Sequence, residues 1–215
     1  MSASGGDGAA ADDLIGRVVT ARSVLDVVRR DRVFYDESGG GMTLSGGEPL
    51  VQPDFAAALL QGAKAEGIST AVDTCGAVSW RHFEAALAHT DLFLFDLKLV
   101  DRDEHVEWVG IDPALIRENL ERLLGCGAAV RIRVPLIPDV TDTDANLAAL
   151  ARLAAGLRGV RALDLLPYNP AGEHKADRLG IEGRLPKRAT QPPAELERIR
   201  RHFNDLQIPV SFGGS

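Results

Sequence analysis

The sequence predicts an α/β protein assembled from parallel βαβ units. Three observations predict it: short apolar runs of β-branched and aromatic residues recur along the chain, amphipathic helical stretches separate them, and capping residues punctuate the helices. The apolar runs fall at 41–45 (GMTLS), 68–73 (ISTAVD), 91–97 (DLFLFDL), 129–134 (AVRIRV) and 160–166 (VRALDLL). Helical patterns lie between them at about 54–66, 79–88, 113–125 and 144–157 and, after a long loop, at 192–206.

Taken in order, residues 1–13 (MSASGGDGAAADD) are small, polar or acidic and without periodicity, which reads as a disordered leader ahead of one domain over 14–215. Val18, Val24, Val27 and Val28 mark an amphipathic helix from Leu14 to Arg30, and the glycines of Ser38-Gly-Gly-Gly41 break the chain. Pro53-Asp54 opens the next helix, Ser79 suits an N-cap for the one after it, and Asp112-Pro113 opens a further one. Gly67, Gly125-Cys126-Gly127 and Gly156 stop helices. A final run, Ile208 to Phe212, reads as an edge strand. Strands apolar on both faces and alternating with helices indicate parallel βαβ units. Five units and an edge strand fall short of a closed eightfold barrel, which takes about 250 residues. An open partial barrel and a doubly wound sheet both remain, and both bind ligands at the C-terminal ends of their strands.

Composition narrows the function. Lys and Arg total 24 against 31 Asp and Glu, a formal charge of −7, which argues against a nucleic-acid partner held by a broad basic surface. No run approaches the roughly 18 apolar residues of a membrane-spanning helix, and the N-terminus lacks the basic and apolar regions of a secretory signal, so a cytoplasmic location is expected. The two cysteines, Cys75 and Cys126, fit no CxxC-type pattern, which excludes a disulfide scaffold or zinc ribbon. A cysteine-held iron–sulfur cluster needs several thiolates close together, and two distant ones do not supply them.

Polar residues gather where the strands end: Ser45-Gly46-Gly47-Glu48-Pro49, Asp73-Thr74-Cys75-Gly76, Asp96-Leu97-Lys98, Arg133 ahead of Pro135 and Pro138, and Pro167-Tyr168-Asn169-Pro170. Any one of these could be a plain turn or helix cap; five on one rim point to a small-molecule site. The set suits a zwitterion. Gly46 and Gly47 expose backbone groups, Glu48, Asp73 and Asp96 accept hydrogen bonds from an ammonium or ribose hydroxyls, and Lys98 and Arg133 pair with a carboxylate. Asp96 beside Thr74 also suits a hard cation. With neither GxGxxG nor a P-loop present, nucleotide-phosphate binding loses ground.

Together GGGMTLSGGEPLVQPDF, AVDTCG, FLFDLKLVD, RIRVPLIPDVTDTDAN and LDLLPYNPAGEHKADRLG resemble glycyl-radical-enzyme activating proteins, the pyruvate formate-lyase activating enzyme-like members of the radical SAM superfamily, over roughly residues 14–215. The resemblance implies a partial (β/α)6 barrel with outer helices, here missing its first strand. It also implies S-adenosylmethionine bound on a [4Fe-4S] cluster, reductive cleavage to a 5′-deoxyadenosyl radical, and hydrogen abstraction from a backbone glycine of a partner glycyl radical enzyme. An electron donor such as flavodoxin or ferredoxin is implied as well. Carried over, Gly46, Gly47 and Glu48 hold the methionyl amino group, and Asp73, Thr74 and Asp96 lie near the methionyl carboxylate and its cation. Leu97 and Lys98 complete the Asp-Leu-Lys at the cofactor, Arg133 lies near the substrate glycine, and Asn169 stands where some members place a cofactor-contacting histidine. The family's CxxxCxxC loop is not in this sequence, so no residue is assigned to the cluster and this chain alone is expected to be inactive in S-adenosylmethionine cleavage.

Two other readings compete. One is a cluster-free module that binds S-adenosylmethionine or the partner without catalysis; the other is a cofactor-free lyase or aldolase using Lys98, supported by a lone lysine. Cys75 and Cys126 read as buried or half-buried structural thiols. His82, His89, His105, His174 and His202 lack metal-ligand spacing, and His105 reads as a surface helix residue. Trp80 and Trp108 read as packing residues, and 171–191 as a solvated loop.

Overall fold

Parallel strands need long crossovers, and the helical stretches between the apolar runs supply them. The structure, a computed structural model, describes residues 17–170 and 188–213. The leader at 1–13 and most of the 171–191 loop lie outside the described residues. The six strands are β1 (Gly41–Leu44), β2 (Ser69–Thr74), β3 (Leu92–Asp96), β4 (Val130–Pro135), β5 (Val160–Leu166) and β6 (Val210–Phe212). They form one sheet, all parallel, in the order β1-β2-β3-β4-β5-β6. A doubly wound sheet reverses its order at a switch point. This one winds in a single direction, as a barrel does, and ends at β1 and β6. It is the partial barrel.

The helices are α1 (Ala21–Val28), α2 (Arg32–Ser38), α3 (Pro53–Ala65), α4 (Trp80–Leu87), α5 (Arg102–Val109), α6 (Pro113–Gly125), α7 (Asp144–Gly156) and α8 (Pro193–Arg201). The first helical stretch is shorter than its periodicity predicts. Thr20 caps α1 by accepting the Ser23 amide at 3.2 Å, which leaves Val18 outside the helix and 92% exposed. A turn at Arg29–Asp31 then leads to α2, which the valine spacing does not reveal and which ends at Gly39 with φ 68°. The stretch at 192–206 likewise contracts to α8. None of the helices is long and apolar enough to cross a membrane, among the described residues.

The expectation of strands apolar on both faces is corrected. Phe93, Phe95, Val130, Ile132 and Val134 point to the helices and are fully buried, packed with Phe83, Leu120, Leu123, Leu147 and Leu150. Each such side chain contributes about 1.5–3 kcal/mol of transfer free energy. The alternate residues carry charge. Asp96, Arg133, Asp164 and Ser211 face one another in register across β3 to β6, and Asp73, Leu94 and Arg131 form the preceding rung across β2 to β4. Charge survives on this face because no helix among the described residues covers it and because its members pair.

Candidate functional site

The rim is built by the turns that leave β1, β2 and β3. After β1 the chain turns through Gly46, whose φ of 138° is a conformation that a side chain strains. A Cβ on Gly46 or on Gly47 would meet no atom within 4 Å, so the turn faces open space. Glu48 fixes it. One carboxylate oxygen accepts the Leu50 amide at 3.1 Å, and the other accepts the Thr74 hydroxyl at 2.8 Å, the Cys75 amide at 2.9 Å and the Cys75 thiol at 3.1 Å. Both oxygens are engaged by the chain itself, and they tie the β1 turn to the end of β2. Burial, followed by the Glu48 carboxylate, pushes the Cys75 thiol up from its ordinary value against the pull of the Ala77 amide and Lys98. Gly76 completes this corner at φ 76°, where a Cβ would stand 2.3 Å from the Phe95 ring.

Behind the turn lies a charged cluster. Asp73 accepts the Ser45 hydroxyl at 3.0 Å and pairs with Arg133 at 2.7 Å. Arg133 reaches across β3 to do so, passing 3.9 Å from Asp96. Lys98 stands 3.6 Å from the other Asp96 oxygen. Neither approach is a hydrogen bond, and Asp96 Oδ1 is buried without one. Burial raises the Asp96 carboxyl above the usual carboxylate range; Lys98 and Arg133 pull it down without overcoming that, and Asp73 adds to the rise.

Glu48, Asp73, Thr74, Asp96, Lys98 and Arg133 are thus brought together beside Gly46 and Gly47. Leu97 is at the rim only in its backbone, donating from its amide to the Arg133 carbonyl at 2.8 Å, while its side chain is buried in the core. Asn169 is exposed beyond the end of β5, on the same edge of the sheet. Cys75 is half-buried as expected; Cys126 is exposed, which corrects its reading as a buried or half-buried thiol, because it caps α6 ahead of a left-handed Gly127. Trp80 packs on Phe83 with centroids 5.7 Å apart, and the Arg122 guanidinium lies 4.3 Å over its ring. His105, read as a surface residue, is 3% exposed.

Sequence reasoning missed two kinds of residue. The first is the pair Arg131–Asp164, two nitrogens on two oxygens at 2.9 and 2.7 Å, joined by the Ser211 hydroxyl at 2.7 Å. The second is a pair of buried asparagines that pin the rim loops. Asn146 accepts the Val100 amide at 3.1 Å and donates to the Lys98 and Thr141 carbonyls, and Asn119 donates to the carbonyls of Gly76 and Val78. Their only sequence signal is a polar residue on the apolar stripe of a helix.

The donor set does not fit an iron–sulfur cluster. Cys75 belongs to the end of β2 and Cys126 to the end of α6, and no group of three or more His, Cys, Asp or Glu side chains is placed to hold a metal among the described residues. At the position suggested for a cation, the Thr74 hydroxyl donates to Glu48 and accepts the Gly76 amide at 3.0 Å.

Comparison with known proteins follows the same lines. The model of the radical SAM superfamily matches residues 10–151. The chain is 37% identical over 209 residues to the trans-4-hydroxy-L-proline dehydratase activating enzyme of Clostridioides difficile, covering 95% of this chain and 68% of that protein. It is 38% identical to the choline trimethylamine-lyase activating enzyme of Oleidesulfovibrio alaskensis, covering 92% of this chain and 65% of that protein. With the pyruvate formate-lyase-activating enzyme of Clostridium pasteurianum it shares 33% identity over 89% of this chain and 80% of the relative. The first two relatives therefore extend well beyond what the chain spans. The crystal structure of a domain of pyruvate-formate lyase-activating enzyme from Bacteroides vulgatus superposes with a TM-score of 0.68 at 27% identity, over 81% of this chain and 99% of that one.

Proposed function

Because the chain belongs to the radical SAM superfamily, among the glycyl-radical-enzyme activating enzymes, we propose that its rim grips S-adenosylmethionine and presents it to a backbone glycine of a partner glycyl radical enzyme. One observation carries the reading: Asp96 Oδ1, a buried carboxylate oxygen without a hydrogen bond, on the same rim as the open Gly46-Gly47 turn. A buried acceptor without a donor costs about 1–3 kcal/mol, more when charged, and an ammonium or hydroxyl of a ligand would recover it.

In this reading Asp96 and the Gly46 and Gly47 backbone take the methionyl ammonium, and Lys98 takes the carboxylate. Asp73 and Thr74 shape the pocket beside them, and Asn169 meets the cofactor from beyond β5. Glu48 acts through the turn it braces, since both its oxygens are already engaged. Arg133, held by Asp73, faces the partner's glycine. In the family, one-electron cleavage of S-adenosylmethionine supplies the fragment that removes a hydrogen atom, with the electron passing from a donor such as flavodoxin or ferredoxin through a [4Fe-4S] cluster. Among the described residues no group of side chains is placed to hold that cluster, and binding and positioning are the steps assigned here to the rim residues themselves.

Titration calorimetry with S-adenosylmethionine tests the reading. Saturable binding that weakens in Asp96→Asn is expected; affinity no tighter than about 1 mM overturns it. The assembled rim also supports a second reading, a cluster-free module that binds S-adenosylmethionine or the partner without catalysis. Anaerobic reconstitution with iron and sulfide tests the expectation that the two readings share, since a stoichiometric cluster on this chain would overturn it.

A further inference from the structure

Where β3 and β5 end, the chain leaves the sheet in irregular loops, and backbone groups that have lost a strand partner need another. β3 ends at Asp96, and the Leu97 amide still bonds the Arg133 carbonyl at 2.8 Å. The groups that follow meet a side chain instead. Asn146, 4% exposed in the first turn of α7, accepts the Val100 amide at 3.1 Å and donates to the Lys98 carbonyl at 2.9 Å and the Thr141 carbonyl at 2.8 Å. Its oxygen and both its amide hydrogens are used, all of them on backbone.

A second carboxamide plays the same part beyond β5. Gln191, buried like Asn146, accepts the Tyr168 amide at 2.9 Å and donates to the Leu136 carbonyl at 3.0 Å and to Asp142 at 2.9 Å. Both side chains grip the turn between β4 and α7. Thr141 holds that turn in shape, its hydroxyl accepting the Ile137 amide and donating to the Pro135 carbonyl, each at 2.6 Å. A satisfied buried polar network specifies one geometry where an apolar contact would allow several.

The two differ in what they hold. Lys98 is fixed from both sides, by the Leu97 amide toward β4 and by Asn146 toward α7, and the Leu99 side chain beyond it is buried. Lysine carries its charge on a flexible four-carbon stem. A fixed base is what keeps the Lys98 ammonium near Asp96, at 3.6 Å. α7 is itself anchored at this point: Thr143 caps it by accepting the Asn146 amide at 3.3 Å, and Leu147 and Leu150 belong to the core. The core therefore reaches the charged rim through one carboxamide.

We infer that Asn146 is a positioning residue for carboxylate recognition: by fixing the Lys98 backbone it pre-organises the Lys98 ammonium for the carboxylate of an amino-acid-bearing ligand. The inference rests on the function proposed above, which gives that carboxylate to Lys98. A lysine ordered only on binding weakens affinity, and one ordered beforehand does not. Loss of Asn146 therefore falls on the carboxylate and spares the rest of the ligand. The probes are S-adenosylmethionine and its decarboxylated form, which keeps the sulfonium, the nucleoside and the ammonium. The ratio of their affinities for the full chain, measured by calorimetry, is insensitive to a drop in the folded fraction, which weakens both alike.

The parent chain should prefer S-adenosylmethionine about tenfold or more, the worth of a charged hydrogen bond. Lys98→Met should bring the ratio near one. Asn146→Leu, similar in shape without the polar atoms, should shrink the preference about threefold or more, and adding it to Lys98→Met should change the ratio no further. Gln191→Leu removes an equally buried carboxamide from the same turn and should leave the ratio as in the parent. If circular dichroism shows Asn146→Leu unfolded, Asn146→Asp should show the same loss: its carboxylate suits the first turn of α7, keeps an acceptor for Val100 and lacks the two donors. A preference preserved in the folded Asn146 variant, or lowered equally by Gln191→Leu, overturns the inference and leaves the proposed function standing. Absence of binding or of any preference in the parent, or a preference that survives Lys98→Met, overturns the reading it rests on and the inference with it.

Discussion

Arg131 and Arg133 stand two residues apart on β4, point to the same face, and live in opposite circumstances. Arg131 meets Asp164 through two nitrogens on two oxygens, the aspartate side chain is 2% exposed, and Ser211 donates to it as well. Arg133 makes one close contact with Asp73 and passes Asp96 at 3.9 Å, leaving an Asp96 oxygen buried and without a hydrogen bond. The same residue types on the same surface therefore give a closed pair toward β6 and an open one toward β1. A closed pair can only hold structure. An open one keeps charge available for a ligand at some cost in stability, and that asymmetry locates the site better than charge alone.

The sharpest way to break the comparison is to remove the closed pair. Asp164→Ala leaves Arg131 without its carboxylate, and the loss should be about 3 kcal/mol in urea unfolding, toward the lower end for a buried pair because Arg131 keeps some solvent. A loss below about 1 kcal/mol would place this pair with ordinary surface ion pairs and erase the distinction. Next comes Asp96→Asn, where binding and stability should move in opposite directions. S-adenosylmethionine affinity should fall about 10- to 100-fold, the worth of a charged hydrogen bond. Stability at neutral pH should rise, since the folded carboxyl sits above its ordinary value. A group raised on folding contributes stability in acid, below its unfolded pKa of about 3.9, and loses that contribution as pH rises through the raised value. The stability gap between the two proteins should accordingly close on acidification. A variant less stable than its parent at pH 7 would show that Asp96 is already satisfied.

Arg133→Met tests the open side directly. Arg133 is a quarter exposed and its pairing is single, so its removal should cost no more than about 1 kcal/mol. A loss matching that of Asp164→Ala would mean that both arginines are structural and would remove Arg133 from the site.

Much of this was legible before any coordinates. The strand runs at 68–73, 91–97, 129–134 and 160–166 lie within a residue of β2 to β5, because the face packed against the helices fills each short run with β-branched, aliphatic and aromatic residues. The rim was legible for a different reason: Gly46-Gly47-Glu48, Asp73-Thr74 and Asp96-Leu97-Lys98 each stand at or just past the end of a strand, so finding the strands finds the residues. What hid was pairing across the sheet. Arg131 and Asp164 lie 33 residues apart, and only the register of β4 on β5 brings them together. α5 hid because its residues, RDEHVEWV, are largely charged, and its one buried polar side chain, His105, looks like the rest of its exposed face. Cys126 hid for the converse reason: a cysteine is usually core, and here it merely ends a helix.

The smallest expected effect separates the two cysteines. Cys75 sits half-buried with its thiol donating to Glu48, and burial raises that thiol from its ordinary value, which withholds the thiolate that an alkylating reagent attacks. Cys126 is exposed at the end of α6. Iodoacetamide at neutral pH should therefore modify Cys126 first, with Cys75 following only on a much longer timescale, as peptide mass spectrometry would resolve. Cys75→Ser keeps a donor for the carboxylate and should shift stability by less than about 1 kcal/mol, whereas Cys75→Ala removes the donor and should cost more. If Cys75 instead labels as fast as Cys126, its thiol does not rest on Glu48. The brace between the β1 turn and β2 is then looser than the Thr74 and Cys75 contacts imply, and the open side of the rim extends to Glu48 as a ligand-facing carboxylate.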